Sequence, residues 1–141
     1  MQLKKKIFSI TIVILTIGVI FFSMNNLVNS NDPLVILEQI EFDAVFLEDD
    51  NLVQIYFEDK SNNTKSAVLE ILGMDITYHQ EYRFDKDSKF VEKMYLEKIP
   101  KYGWQTTPVT LEIQHSQFGN IGLKTEIHEP GKSKPRIIIE Q

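Results

Sequence analysis

Ile76-Thr77-Tyr78-His79-Gln80-Glu81-Tyr82-Arg83-Phe84 is the stretch that decides the fold. Ile76, Tyr78, Tyr82 and Phe84 share one side of it, and Thr77, His79, Glu81 and Arg83 share the other. Side chains alternate across a strand with a period of two, so this run reads as a β-strand with one face on a core and the other in water. The rhythm recurs at roughly 10–15-residue intervals along the chain. Val109, Leu111 and Ile113 alternate with Thr110, Glu112 and Gln114, and Ile121, Leu123 and Ile127 alternate with Gly122, Lys124 and Glu126.

Working outward, residues 42–47 and 52–57 flank Glu48-Asp49-Asp50-Asn51, whose turn-forming side chains make a hairpin of the pair. Residues 67–72, 90–96 and 136–139 complete the set, the last reached through Glu129-Pro130-Gly131, which suits a type II turn. After Pro33 no long stretch keeps apolar residues at helical spacing. Roughly seven or eight antiparallel strands with one wet face each pack most economically as two sheets face to face. The expectation is an all-β, immunoglobulin-like or fibronectin-like sandwich over residues 34–141. The hallmark cysteine pair is missing, and the single tryptophan, Trp104, falls in a loop.

Composition bounds the function. With 43% hydrophobic and 25% charged residues the chain carries the apolar content of a folded domain. Beyond the first six residues there are 12 basic and 20 acidic side chains, a net −8 that repels phosphate backbones, and no basic stripe offsets it. Nucleic acid is therefore excluded as a partner. The absence of cysteine removes disulfides, thiolate metal sites, a cysteine nucleophile and lipobox attachment together. An extracytoplasmic domain without disulfides suits a prokaryotic surface.

The N-terminus places the domain. Lys4, Lys5 and Lys6 precede residues 7–24, eighteen positions without a charge. A helix of that length extends about 27 Å, close to the roughly 30 Å hydrocarbon core. The lysines belong in the cytoplasm, so residues 1–6 are an inner tail, 7–24 a single-pass membrane anchor, and 25–33 a polar linker leading outside. A cleaved signal peptide is the rival reading, in which the domain is secreted. Against it, Phe21 and Phe22 occupy the end of the apolar run, and only Val28-Asn29-Ser30 offers small-residue cleavage.

Candidate sites are few. Tyr102 and Trp104, bracketed by Pro100 and Pro108, offer either an aromatic platform for a sugar ring or partner, or a plug at one end of the sandwich. His79, His115 and His128 are the only imidazoles available to a metal, although no two have ligand spacing on one strand and strand-end histidines are commonly exposed. Glu48, Asp49, Asp50, Glu58 and Asp59 supply oxygens, but the tip and base of a hairpin lie about 20 Å apart, too far for one calcium ion. They read as solvated turn residues. Asn62-Asn63-Thr64 matches the acceptor pattern for N-glycosylation. No G-x-S-x-G, H-E-x-x-H or phosphate-binding glycine loop occurs, and neither catalysis nor a cofactor is expected. The sequence thus points to a membrane-anchored extracytoplasmic module that contacts an envelope protein, with a small ligand-binding domain, for a metal ion or a glycan, as the alternative.

Overall fold

A helix that the strand rhythm does not announce opens the domain. In the computed structural model, which describes residues 32–75 and 77–140, α1 runs Pro33–Gln39. Asp32 caps it, its Oδ1 accepting the Leu34 N–H at 2.9 Å, and Pro33 sits where a missing N–H does no harm. The helix ends when Ile40 turns to extended backbone, φ −110° and ψ 124°. Ile36 is the side chain that it buries. The proposed anchor, residues 7–24, and most of the linker lie outside the described residues. Among the described residues no helix is long and apolar enough to cross a membrane.

Eight strands follow: β1 Ile40–Leu47, β2 Leu52–Asp59, β3 Thr64–Ile71, β4 Tyr78–Arg83, β5 Lys89–Tyr95, β6 Pro108–His115, β7 Gly119–Glu126 and β8 Ile138–Glu140. They form two antiparallel sheets, one in the order β1-β2-β5 and the other β4-β3-β6-β7-β8. Period-two alternation is borne out where the sheets face each other. Phe42, Ala44, Ile55 and Phe57 of the first sheet are fully buried, as are Leu69, Ile71, Val109 and Leu111 of the second. Together they form one hydrophobic cluster.

The turns obey local chemistry. In the β1–β2 connection Asn51 takes φ 50°, and its N–H donates to Glu48 O at 3.1 Å. Pro130-Gly131 makes the type II turn read from the sequence: Gly131 has φ 81°, and the Lys132 N–H reaches Glu129 O at 3.2 Å. After β7 the chain crosses to the first sheet. There the Phe46 N–H donates to His128 O at 2.9 Å and the His128 N–H to Ala44 O at 3.0 Å, a parallel bridge that covers part of the β1 edge.

Two strands differ from expectation. β4 has no fully buried residue, because it lies at the edge of its sheet, where Tyr78 and Tyr82 are only half-buried. β8 is three residues long and starts at Ile138, two positions later than the sequence pattern suggests.

Candidate functional site

Residues 72–75 and 77 lie beside the connection 96–107, and together they border a cleft of about 810 Å³. Several interactions hold its walls. Leu72 N–H donates to Pro108 O at 3.1 Å, the Asn51 side-chain amide donates to Leu96 O, and Gly73 packs directly on the Thr106 carbonyl. Met74, Tyr78 and Met94 line the interior, all packed on the core, while Tyr95, Ile99 and Tyr102 stand at the rim. Those three are strongly exposed, at 73%, 53% and 76%. Asp75 and Glu97 are balanced by Lys98 and Lys101, so the charges along the lining offset each other. The Lys101 ammonium lies 5.4 Å from the centre of the Tyr102 ring.

The two aromatics singled out in this loop part company. Pro100 O accepts the Gly103 N–H at 3.0 Å, and Gly103, with φ 79°, reverses the chain into a 3-10 turn, Trp104–Thr106. Trp104 is thereby carried inward, its ring centre 4.8 Å from that of Phe46. Tyr102 stays outside. Trp104 thus plugs one end of the sandwich and the platform loses half its proposed surface. Because the indole is half-buried, Trp104→Ala is expected to cost about 2–3 kcal/mol, less than a fully buried aromatic. The thermal midpoint should fall by roughly 10 °C in calorimetry, and a fall under about 2 °C would remove the plug.

The three histidines are not brought together. His79 on β4 faces Glu70 across the β3–β4 ladder, with Nδ1 2.9 Å from Oε1, at the cleft wall. His115 pairs with Thr64, six residues from Glu70 on β3, which places it about 20 Å from His79. His128 lies past the far end of β7 and meets Asp43, Nε2 to Oδ1 3.0 Å. Each imidazole has its own carboxylate, and among the described residues no three His, Asp or Glu side chains cluster as a metal requires.

Asp59 and His115 belong to a buried polar staple that the sequence does not signal, and neither is the exposed residue that a turn or a strand end suggests. Both are almost fully buried, at 1% and 2% exposure. Asp59 accepts five hydrogen bonds: Oδ1 from the Ser61 N–H and hydroxyl at 2.8 and 2.6 Å, Oδ2 from the Asn63 and Thr64 N–H groups and the Thr64 hydroxyl at 2.9, 2.8 and 2.9 Å. His115 Nε2 lies 3.3 Å from Oδ2. Its Nδ1 accepts the N–H groups of Gln117 and Phe118, both at 3.1 Å, so the ring proton sits on Nε2. Ser, His and Asp meet here, with Ser61 Oγ 3.2 Å from His115 Nε2, but the Ser61 hydroxyl is given to Asp59, Nε2 carries its proton and so offers no base, and the Asp59 and His115 side chains are sealed from solvent while Ser61 is partly exposed. The group staples loops rather than activating a nucleophile.

Electrostatics sets a pH dependence. Burial holds the His115 imidazole below its ordinary 6.5, against the pull of Asp59. Burial pushes the Asp59 carboxyl up, but the hydrogen bonds from Ser61 and Thr64 outweigh it and leave it below 3.8. A histidine that resists protonation when folded contributes fully above pH 6.5 and loses that contribution as pH falls toward its folded value. The Asp59 contribution follows only below about pH 3.8. His79, raised by its hydrogen bond to Glu70, works the other way, but it is half exposed and its effect is screened. The thermal midpoint should therefore fall between pH 7.5 and 5. His115→Asn, whose carbonyl still accepts from Gln117 and Phe118, should flatten that slope.

Neither a protein-family model, nor a curated protein, nor a solved structure matches this chain. The geometry alone must therefore carry the functional reading.

The acceptor triplet is also built into the staple. Asn62 has φ 55° and its Oδ1 accepts the Ser88 N–H at 3.0 Å, while Thr64 is buried with its hydroxyl on Asp59. Asn62 itself is exposed in the folded domain, but the Thr64 hydroxyl that the pattern requires is buried. Glu48, Asp49 and Asp50 are exposed at the hairpin tip, far from Asp59 at its base.

Proposed function

We propose that this chain is a membrane-tethered, extracytoplasmic interaction module that contacts another envelope protein through the cleft between residues 73–75 and 96–107. The observation that carries the reading is the concentration of apolar surface: Tyr95, Ile99 and Tyr102 are three of the seven large exposed hydrophobics among the described residues, and all three line this one cleft. Exposed aromatics with polar tips, gathered at a concave surface, favour association. The tether rests on the charge-free run 7–24 behind Lys4, Lys5 and Lys6.

The finer architecture we infer is fibronectin-like. The first, second and fifth strands share one sheet, and the third, sixth and seventh share the other, as in an immunoglobulin-type sandwich. The fourth strand joins the third rather than the fifth.

The test is a photo-reactive side chain placed at Tyr102 in the full chain in its native membrane. One recurrent adduct, lost when Tyr95 and Ile99 are both changed to serine, supports the module. Adducts that scatter over abundant neighbours and ignore that double change refute it. Mass spectrometry of the mature chain tests the tether separately, since a start near Asn31 would make the protein secreted.

A glycan in the same cleft is the second reading, favoured by the exposed rings of Tyr95 and Tyr102 and by the carboxylates of Asp75 and Glu97 in the same lining. Soluble glycans displacing the adduct would select it.

A further inference from the structure

The antiparallel ladder fixes which backbone groups of β5 look outward. The Leu96 N–H donates to Asn51 O at 3.0 Å, and the Asp59 N–H to Ser88 O at 2.8 Å, so residues 88 and 96 exchange hydrogen bonds with the β2 side. Hydrogen-bonded and non-hydrogen-bonded pairs alternate in such a ladder. The even-numbered residues of β5 therefore face β2, and Lys89, Val91, Lys93 and Tyr95 direct their N–H and C=O groups away from it. β5 is the outer strand of its sheet, and no described residue pairs with that edge.

The same four residues carry the exposed side chains of the strand. Val91 is 54% and Tyr95 73% exposed, with Lys89 and Lys93 alternating between them. Neither lysine is in an ion pair among the described residues. The resulting stripe is cationic, apolar, cationic, aromatic, and it ends at Tyr95 on the rim of the cleft.

Other edges offer less. β1 is partly covered by the His128 bridge, β8 has three residues, and the exposed residues of β4, His79, Gln80, Glu81 and Arg83, include no apolar side chain, with His79 already held by Glu70 and Glu81. β5 is also guarded against its own kind. Glu92 points toward the opposite sheet, where its carboxylate accepts the Tyr82 hydroxyl, an inward charge of the sort that discourages edge-to-edge pairing. A second copy centred on Val91 would set Lys89 against Lys93, and like charges directly opposite are unfavourable.

We propose that β5 is a docking strand for an extended segment of the partner protein, one that alternates carboxylate and apolar side chains on a single face. The proposal rests on the interaction-module reading and specifies how the partner is held. Backbone hydrogen bonds to Val91 and Lys93 supply affinity, carboxylates beside Lys89 and Lys93 supply the choice of partner, and the cleft receives the chain beyond Tyr95. The acidity of the whole domain does not oppose this, since salt screens it beyond about 8 Å, whereas the lysines lie directly beside the added strand.

The probe is a nine-residue peptide in which threonine alternates with Glu, Val, Glu and Val. It is titrated into the full chain in detergent and compared with the same peptide carrying Lys for Glu. The acidic peptide should bind at least tenfold tighter and slow hydrogen exchange at the amides of Val91 and Lys93. Val91→Pro removes an outward N–H while leaving the β2 ladder intact, and should weaken binding at least tenfold. Lys89→Glu with Lys93→Glu, which does not touch the backbone, should reverse the preference. Equal binding of both peptides, protection on β4 instead, or dimerisation of the chain through β5 each overturns the proposal. If neither peptide binds while the Tyr102 adduct persists, strand addition fails and the module stands. Failure to form one recurrent Tyr102 adduct in the otherwise unaltered chain refutes the module itself.

Discussion

Asp59→Ala should be among the most damaging single changes in the domain, costing about 3–5 kcal/mol, because it removes a buried carboxylate on which several donors converge and leaves the buried N–H and hydroxyl of Thr64 unpaired. Five donors lose their acceptor at once: the N–H groups of Ser61, Asn63 and Thr64 and the hydroxyls of Ser61 and Thr64. His115 loses the carboxylate at its Nε2. Total stabilities of small domains are about 5–15 kcal/mol, so the change removes a large fraction of the whole. Asp59→Asn keeps one acceptor oxygen and introduces two donors, and should fall between Ala and the parent. Urea denaturation at pH 7 measures all three, and a shift under about 1 kcal/mol for Asp59→Ala would show that the loop is held some other way. As pH falls below 3.8 and through the lowered folded value of Asp59, the parent and Asp59→Asn should draw together, since protonation removes the charge that distinguishes them.

Gly73→Ala is the second large effect, for a steric rather than an electrostatic reason. Gly73 has φ 79°, and a Cβ built there would lie 2.0 Å from the Thr106 carbonyl oxygen, a backbone atom that no rotamer change can move aside. Positive φ alone costs a side chain about 1–2 kcal/mol. The overlap adds the displacement of one cleft wall from the other, for a total of about 3 kcal/mol or more. Gly119 and Gly131 supply the controls, since both have positive φ but nothing within 4 Å of the added carbon. Their alanine variants should show the conformational cost alone. If all three destabilise equally, the two connections are not locked at Gly73. The Tyr102 adduct gives an independent readout, because a displaced wall should reduce it in Gly73→Ala and leave it unchanged in the other two.

Much of the fold was legible because period-two alternation is local. The strands at 42–47, 52–57, 109–113 and 121–127 could be read from a few residues each, and so could the turns at Asn51 and Pro130-Gly131. The helix α1 did leave a signal, a capping Asp32 before Pro33, but its seven residues are too few to show a helical period. The cleft was half legible: Tyr102 stood out in its proline-bounded loop, but Tyr95 looked like any strand-end residue until the loops came together around it. Asp59 was illegible, because a carboxylate after a strand and before a Ser-Asn-Asn turn looks solvated, and its partner His115 lies 56 positions away.

By itself, then, the sequence determined an all-β domain with one core, an acidic surface and no thiol chemistry, since these follow from neighbouring residues and from composition. Only the tertiary structure decided the partition of strands into three and five, the burial of Asp59 with His115, the inward turn of Trp104 and the open edge of β5. Each of these depends on which distant segments share a volume, and alternation along a strand carries no record of its neighbours.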